Sequence, residues 1–151
     1  PSGAAPAPPK APELVGLGPW FNGSPTTLAA LRGQVVLVDF WTFGCVNCPR
    51  RIPRVNALYA KCHARGFEVV GVHAPEFAHE REAPNVRKAI TRAGIRFRVA
   101  LDNDFRTWAA YRNRYWPAFY LIDRTGAIRY THAGEGAYAE MDRRVRALLA
   151  E

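Results

Sequence analysis

Two cysteines, Cys45 and Cys48, stand three positions apart in VDFWTFGCVNCPRRIP (residues 38–53), between a hydrophobic run and a stretch with helical spacing. A pair so spaced has three chemical uses: a structural clip, two ligands of a metal, or a redox centre that opens and closes a disulfide. At i and i+3 in the first turn of a helix the Cα atoms lie about 5 to 6 Å apart, which is disulfide distance without backbone movement. The first cysteine also meets unpaired backbone N–H groups and the positive end of the helix dipole, which stabilise a thiolate. The second, one turn inside, is the more buried partner. Such asymmetry suits a two-step exchange in which Cys45 attacks a substrate disulfide, a mixed disulfide forms, and Cys48 resolves it.

The other two uses fit less well. A disulfide closing so small a loop constrains the unfolded chain little and is a poor staple. A zinc site needs two further ligands, and the obvious candidates are Cys62 and His63. On one helix, Cys48 and Cys62 are separated by roughly 21 Å along the axis, against a zinc–sulfur bond of about 2.3 Å. Three cysteines are too few, and odd in number, for a disulfide framework. Cys62 falls on an apolar stripe and reads as a small buried hydrophobe.

The elements that must position this pair can be traced along the chain. With 151 residues, 48% hydrophobic and 23% charged, there is material for one buried core. The net charge of +8 is carried almost entirely by arginine. These arginines are scattered and accompany no nucleic-acid motif, so nucleic acid is not an expected partner. No apolar run approaches the roughly 18 residues of a membrane span, and the first residue is Pro1, so the chain reads as a mature product or a cut fragment. Residues 1–13, PSGAAPAPPKAPE, read as an extended Pro/Ala-rich linker with nothing to bury, and the domain as residues 14–151.

QVVLVDFW is dense enough in β-branched residues for a strand buried on both faces. After the cysteines, Ile52, Val55, Leu58, Tyr59 and Cys62 recur at helical steps to about Arg65, where Gly66 closes the helix. FEVVGVHA is a second buried strand, so strand, helix and strand form a right-handed crossover with the cysteines at its first turn. A helix over 83–93, a short strand in FRVALD and a short helix within 104–115 follow. AFYLID and AIRYTHAG form a hairpin across DRTG, and AYAEMDRRVRALLAE closes the chain as an amphipathic helix.

VLVDFW before a C-x-x-C, a proline five positions after the second cysteine, and a late x-Pro before a hairpin resemble the thioredoxin superfamily across residues 14–151. The insert between crossover and hairpin is similar to the exported TlpA-like and ResA-like branch. FWTFGCVNC, GVHAPEF, ALDND, NRYWPAFYLID and IRYTHAGEG resemble the thioredoxin-like domain of DipZ-type cytochrome c biogenesis proteins. The fold this implies is α/β: a three-layer thioredoxin-like arrangement with a central mixed β-sheet flanked by helices, an N-terminal extension and the TlpA-type insert.

The resemblance also implies roles. Asp39 matches the buried carboxylate that thioredoxins place beneath the second cysteine, where burial raises its pKa and lets it accept the Cys48 proton through water. Its neutral isostere, Asn, is then expected to stabilise the fold. Pro117 matches the cis-proline facing the disulfide, and Trp116 before it pairs its backbone with a substrate chain. Trp41 and Phe43 join Trp116 in an aromatic rim around the substrate, the alternative being that some of these rings, Trp41 above all, complete the core; Pro53 matches the proline that kinks the active-site helix. There are two departures: Arg51 occupies a position where many TlpA-like and ResA-like proteins carry glutamate, and Pro49 one where thioredoxins carry a basic residue. His73 and Glu76 lie near the active-site end without an assigned role.

The implied activity is extracytoplasmic protein-disulfide oxidoreduction by a monomer, reducing client proteins through the Cys45–Cys48 dithiol with no other cofactor. A membrane electron-donor protein of the CcdA or DsbD type would re-reduce the pair, with the domain tethered outside the membrane. An alternative is a copper-binding metallochaperone using both cysteines and His73 or His132, although copper carriers of this fold use C-x-x-x-C. A thiol peroxidase requires a peroxide-activating environment that the motif does not display.

Overall fold

The computed structural model describes residues 6–151. A six-stranded mixed sheet has the order β1-β4-β3-β2-β5-β6. Its strands are β1 (Trp20–Phe21), β2 (Val35–Trp41), β3 (Phe67–His73), β4 (Arg98–Leu101), β5 (Ala118–Ile122) and β6 (Ile128–Ala133). Strands β2, β3 and β4 run parallel, and β1, β5 and β6 pair antiparallel with their neighbours. The helices are α1 (Cys48–Cys62), α2 (Ala83–Ala93), α3 (Arg106–Ala110) and α4 (Tyr138–Leu149).

Every residue of β2 and β3 is buried, as their near-continuous apolar runs demand of strands covered on both faces. Alternate side chains divide between two layers. Val35, Leu37 and Trp41 pack with the stripes of α1, α2 and α4, while Val36, Val38 and Phe40 pack with Leu14, Leu28, Leu31 and Tyr111 on the opposite face. Asp39 therefore points toward α1, among apolar neighbours. Helix α1 continues into a short 3-10 turn over His63–Arg65 that ends at Gly66, whose φ of 94° suits a residue without Cβ.

Two expectations change. The segment expected to be a linker with nothing to bury is held against the domain over residues 9–13, and Pro1 to Ala5 lie outside the described residues. Lys10 pairs with Ala127, Ile128 N–H donates to the Pro9 carbonyl at 2.8 Å, and Ala11 N–H donates to Gly126 O at 2.9 Å. Tyr111 Oη donates to the Pro12 carbonyl, and the Glu13 carboxylate accepts from Leu28 and Ala29 N–H. The physical reason is that the turn before edge strand β6 offers unpaired backbone groups, and prolines still supply carbonyls to meet them. Strand β1, not expected from the sequence, is two residues long, too short for periodicity to register.

Candidate active site

The redox pair sits where β2 ends and α1 begins. Cys45 and Cys48 are joined as a disulfide with Cα atoms 5.3 Å apart. Cys45 is half-buried, whereas Cys48 is 1% exposed. The backbone N–H of Cys48 points at Cys45 Sγ from 3.2 Å, and no acidic side chain occupies the first turn of α1. An N–H donor and an uncompensated helix N-terminus at this sulfur both favour its thiolate. Pro49 lies in the same first turn, where a missing N–H costs nothing, and Pro53 lies within the helix.

Asp39 is buried at the centre of the sheet, in register with Gly71 of β3 and Phe119 of β5. It is not alone there. Arg51, one turn beyond Cys48 and 1% exposed, donates from Nη2 to Asp39 Oδ1 and, at 3.3 Å, to the Ala118 carbonyl. Its guanidinium lies over the Phe119 ring, 5.2 Å from the centroid. Burial pushes the Asp39 carboxyl above the ordinary carboxylate range, and the Arg51 charge and hydrogen bond work against that rise. The cation in the glutamate position is therefore the partner of a carboxylate 12 residues earlier.

The expected rim is partly present. Pro117 is buried and follows a cis Trp116–Pro117 bond. Trp116 is half-buried, and its Nε1–H donates to the Ala74 carbonyl at 2.8 Å while its ring leans on Trp108. The ladder between β5 and β2 begins only at Ala118, so the Trp116 backbone lies beyond it. Phe43 is half-buried and stacks on His73 with centroids 5.6 Å apart. Trp41 is a correction: at 3% exposure it belongs to the core, edge-on against His73, because it falls on the α1 face of a fully covered strand. It reaches the surface only as one wall of a 360 Å³ groove beside Cys48, Ile52 and Pro53. Val46, Phe77 and Tyr115 are exposed apolar side chains, at 85%, 54% and 60%. Val46 lies between the two cysteines, Tyr115 precedes Trp116, and Phe77 stacks on His79, whose ring meets Phe43.

Beneath the turn before Cys45 lies a buried polar group of three. Thr42, His73 and Glu80 are each fully buried. Thr42 Oγ1 donates to Glu80 Oε1, and Phe43 N–H donates to His73 Nε2 at 3.2 Å. Burial pulls the His73 pKa down to about 4, although the Glu80 charge works in the opposite direction. His73 is thus neutral at physiological pH, with Nε2 as acceptor. Cys62 is buried and free, and His132 is half-buried with Nε2 3.2 Å from the Glu135 carbonyl.

Residues 10–131 match the model of the AhpC/TSA family. The chain belongs to this thioredoxin-like family. The AhpC/TSA chain is 48% identical over 142 residues to Protein DipZ of Mycobacterium tuberculosis, covering 92% of itself but 20% of that protein. It therefore spans about a fifth of the length of the mycobacterial relatives it matches. It is 30% identical to the thiol-disulfide oxidoreductase YkuV of Bacillus subtilis, covering 93% of itself and 94% of that protein. A thioredoxin-family thiol:disulfide interchange protein from Chlorobium tepidum superposes with a TM-score of 0.80 at 26% identity, over 97% of this chain and 99% of the other. This AhpC/TSA-family chain is a thiol–disulfide oxidoreductase with a C-x-x-C pair and a thioredoxin-like fold.

Glu80 is the site residue of this AhpC/TSA domain that sequence reasoning missed, along with Thr42. In APEFAHERE three glutamates crowd together, and nothing in their types or spacing says that the middle one is buried. His73 carries a pH prediction. Its pKa is depressed from 6.5 to about 4, so below 6.5 the unfolded chain takes up a proton that the folded chain refuses. Stability is therefore full above pH 6.5 and falls as pH drops toward 4, by about 3 kcal/mol in all for this group. Urea unfolding at pH 7 and pH 4.5 should show a smaller acid loss in His73→Gln than in the unaltered chain. Equal losses would mean that His73 charges freely in the fold.

Proposed function

We propose that the domain works outside the cytoplasm as a monomeric reductant of disulfides in other proteins, using the Cys45–Cys48 dithiol and no other cofactor. The observation that carries this reading is the accessible Cys45 beside the buried Cys48, within a surface that exposes Val46, Phe77 and Tyr115. An apolar border of this kind suits a peptide chain, and Trp116, next to Pro117, meets that chain through its backbone.

The exchange proceeds in two balanced steps. The Cys45 thiolate attacks one sulfur of the client disulfide, and the other client sulfur leaves as a thiolate that takes a proton. Cys48 then loses its proton and attacks Cys45 Sγ, releasing the second client thiol and leaving the Cys45–Cys48 disulfide. Asp39, paired with Arg51 one turn beyond Cys48, accepts the Cys48 proton through water. The client gains two electrons and two protons, and the domain loses them.

Electrons return from a membrane donor of the CcdA or DsbD type, to which a tether makes the encounter effectively intramolecular. No helix among the described residues is long and apolar enough to cross a membrane, so the donor is a separate domain or protein. Alkylating the thiols of intact cells, with and without the donor, tests the direction. The pair should be reduced with the donor and oxidised without it. A pair oxidised in both strains would overturn the reductant reading in favour of an oxidase.

A further inference from the structure

The 3-10 segment Ala78–Arg81 holds a carboxylate that the exchange does not use. Glu80 is fully buried and touches neither a lysine nor an arginine ion pair among the described residues. Its Oε1 accepts from Thr42 Oγ1 and, at 2.8 Å, from Glu76 N–H. Its Oε2 has no hydrogen-bond partner among the described residues, and His79 Nε2 lies 4.0 Å away on a side chain 62% exposed. Of the elements packed against it, β3 contributes neutral His73, and α2 contributes the Asn85 amide, which donates to the His79 carbonyl.

That unpaired oxygen faces the redox turn. A Cβ built on Gly44 would run into Glu80 Oε2, so the carboxylate lies directly against the residue before Cys45. Thr42, gripped by Oε1, presents its carbonyl to Cys45 N–H at 3.1 Å. Of the three residues leading to the nucleophile, Thr42 is bonded to this carboxylate, Phe43 is held by His73, and Gly44 lies against the carboxylate's free oxygen. A buried carboxylate with an unsatisfied oxygen is a costly way to support a turn that an amide could hold without charge.

We propose that Glu80 is a positioning residue that acts through Thr42 and Gly44, setting the redox turn and making the Cys45 thiolate harder to form. This rests on Cys45 being the attacking thiol. A carboxylate behind the turn opposes the N–H donor and helix end that favour the thiolate. Disfavouring the thiolate disfavours the dithiol relative to the disulfide, which makes the pair a stronger reductant. The turn thereby sets reducing power from a group that never meets the client.

The test uses the reduced 151-residue chain, measuring the pH dependence of iodoacetamide alkylation at Cys45 and the equilibrium with glutathione. In Glu80→Gln the alkylation midpoint moves down, and the glutathione equilibrium moves toward the dithiol by about tenfold. Thr42→Val shifts both in the same direction, since it removes the hydroxyl by which the carboxylate holds the turn. Thr42→Ser, which keeps the hydroxyl, restores values near those of the unaltered chain. A role in packing alone would lower stability in these variants without moving either thiol reading. Unchanged midpoints and equilibria, with Cys45 still the fast thiol by mass of the labelled peptide, overturn the role of Glu80. Fast labelling at Cys48 instead overturns the nucleophile assignment, and this proposal with it.

Discussion

Cys45→Ser abolishes disulfide exchange, whereas Cys48→Ser attacks substrates and stalls as a mixed disulfide. The difference follows from burial: Cys45 is half-buried and receives the Cys48 N–H at 3.2 Å, while Cys48 is 1% exposed. A hydroxyl at 45 leaves Cys48 as the remaining thiol of the pair, where a client disulfide cannot approach it. A hydroxyl at 48 leaves the first attack intact and removes the group that releases the client. Isolating covalent adducts from cell envelopes should therefore succeed with Cys48→Ser and fail with Cys45→Ser. Adducts on the Cys45→Ser variant would reverse the two roles.

The second large effect falls on stability. Arg51→Met should cost about 3 to 5 kcal/mol, because it strands the Asp39 charge in the core without a counter-ion. The same logic reverses the expectation that Asp39→Asn stabilises the fold: with Arg51 buried beside it, a neutral residue at 39 leaves a guanidinium that cannot deprotonate. Removing both charges together leaves no stranded ion. The double variant should then be far less damaged than the sum of the single losses. Urea unfolding of the four oxidised proteins gives the coupling directly, and strictly additive losses would falsify the pairing. Asp39→Asn should also slow the resolution step near neutral pH, which stopped-flow exchange with a small disulfide measures separately from folding.

What the sequence could tell was set by distance along the chain. The β-branched run of β2, the apolar steps of α1 and the glycine at 66 are local signals, each governed by the periodicity of one element, and all stand in the structure. The Cys45–Cys48 relation is equally local. Arg51 and Asp39 each stand out in the sequence, but their meeting depends on a helix crossing a strand at one height, which no spacing rule encodes. Glu80 depends on a loop folding back beneath residues 42–44, and a glutamate among other glutamates carries no mark of burial. Trp41 was ambiguous for a different reason: a strand buried on both faces gives its terminal aromatic no polar side to declare.

Residues 9–11 lie against the turn that precedes β6, beside the end of the sheet where β2 enters at Val35 and β5 finishes at Ile122. The disulfide lies at the other end, after Trp41, and a seven-residue strand separates the two by about 23 Å. Residues 9–11 therefore mark the heel of the domain, while the reactive sulfur sits at the toe. Contact at Cys45 is therefore made at the end of the sheet remote from residues 9–11, and it does not compete with the pairing of that strap against Gly126 to Ile128.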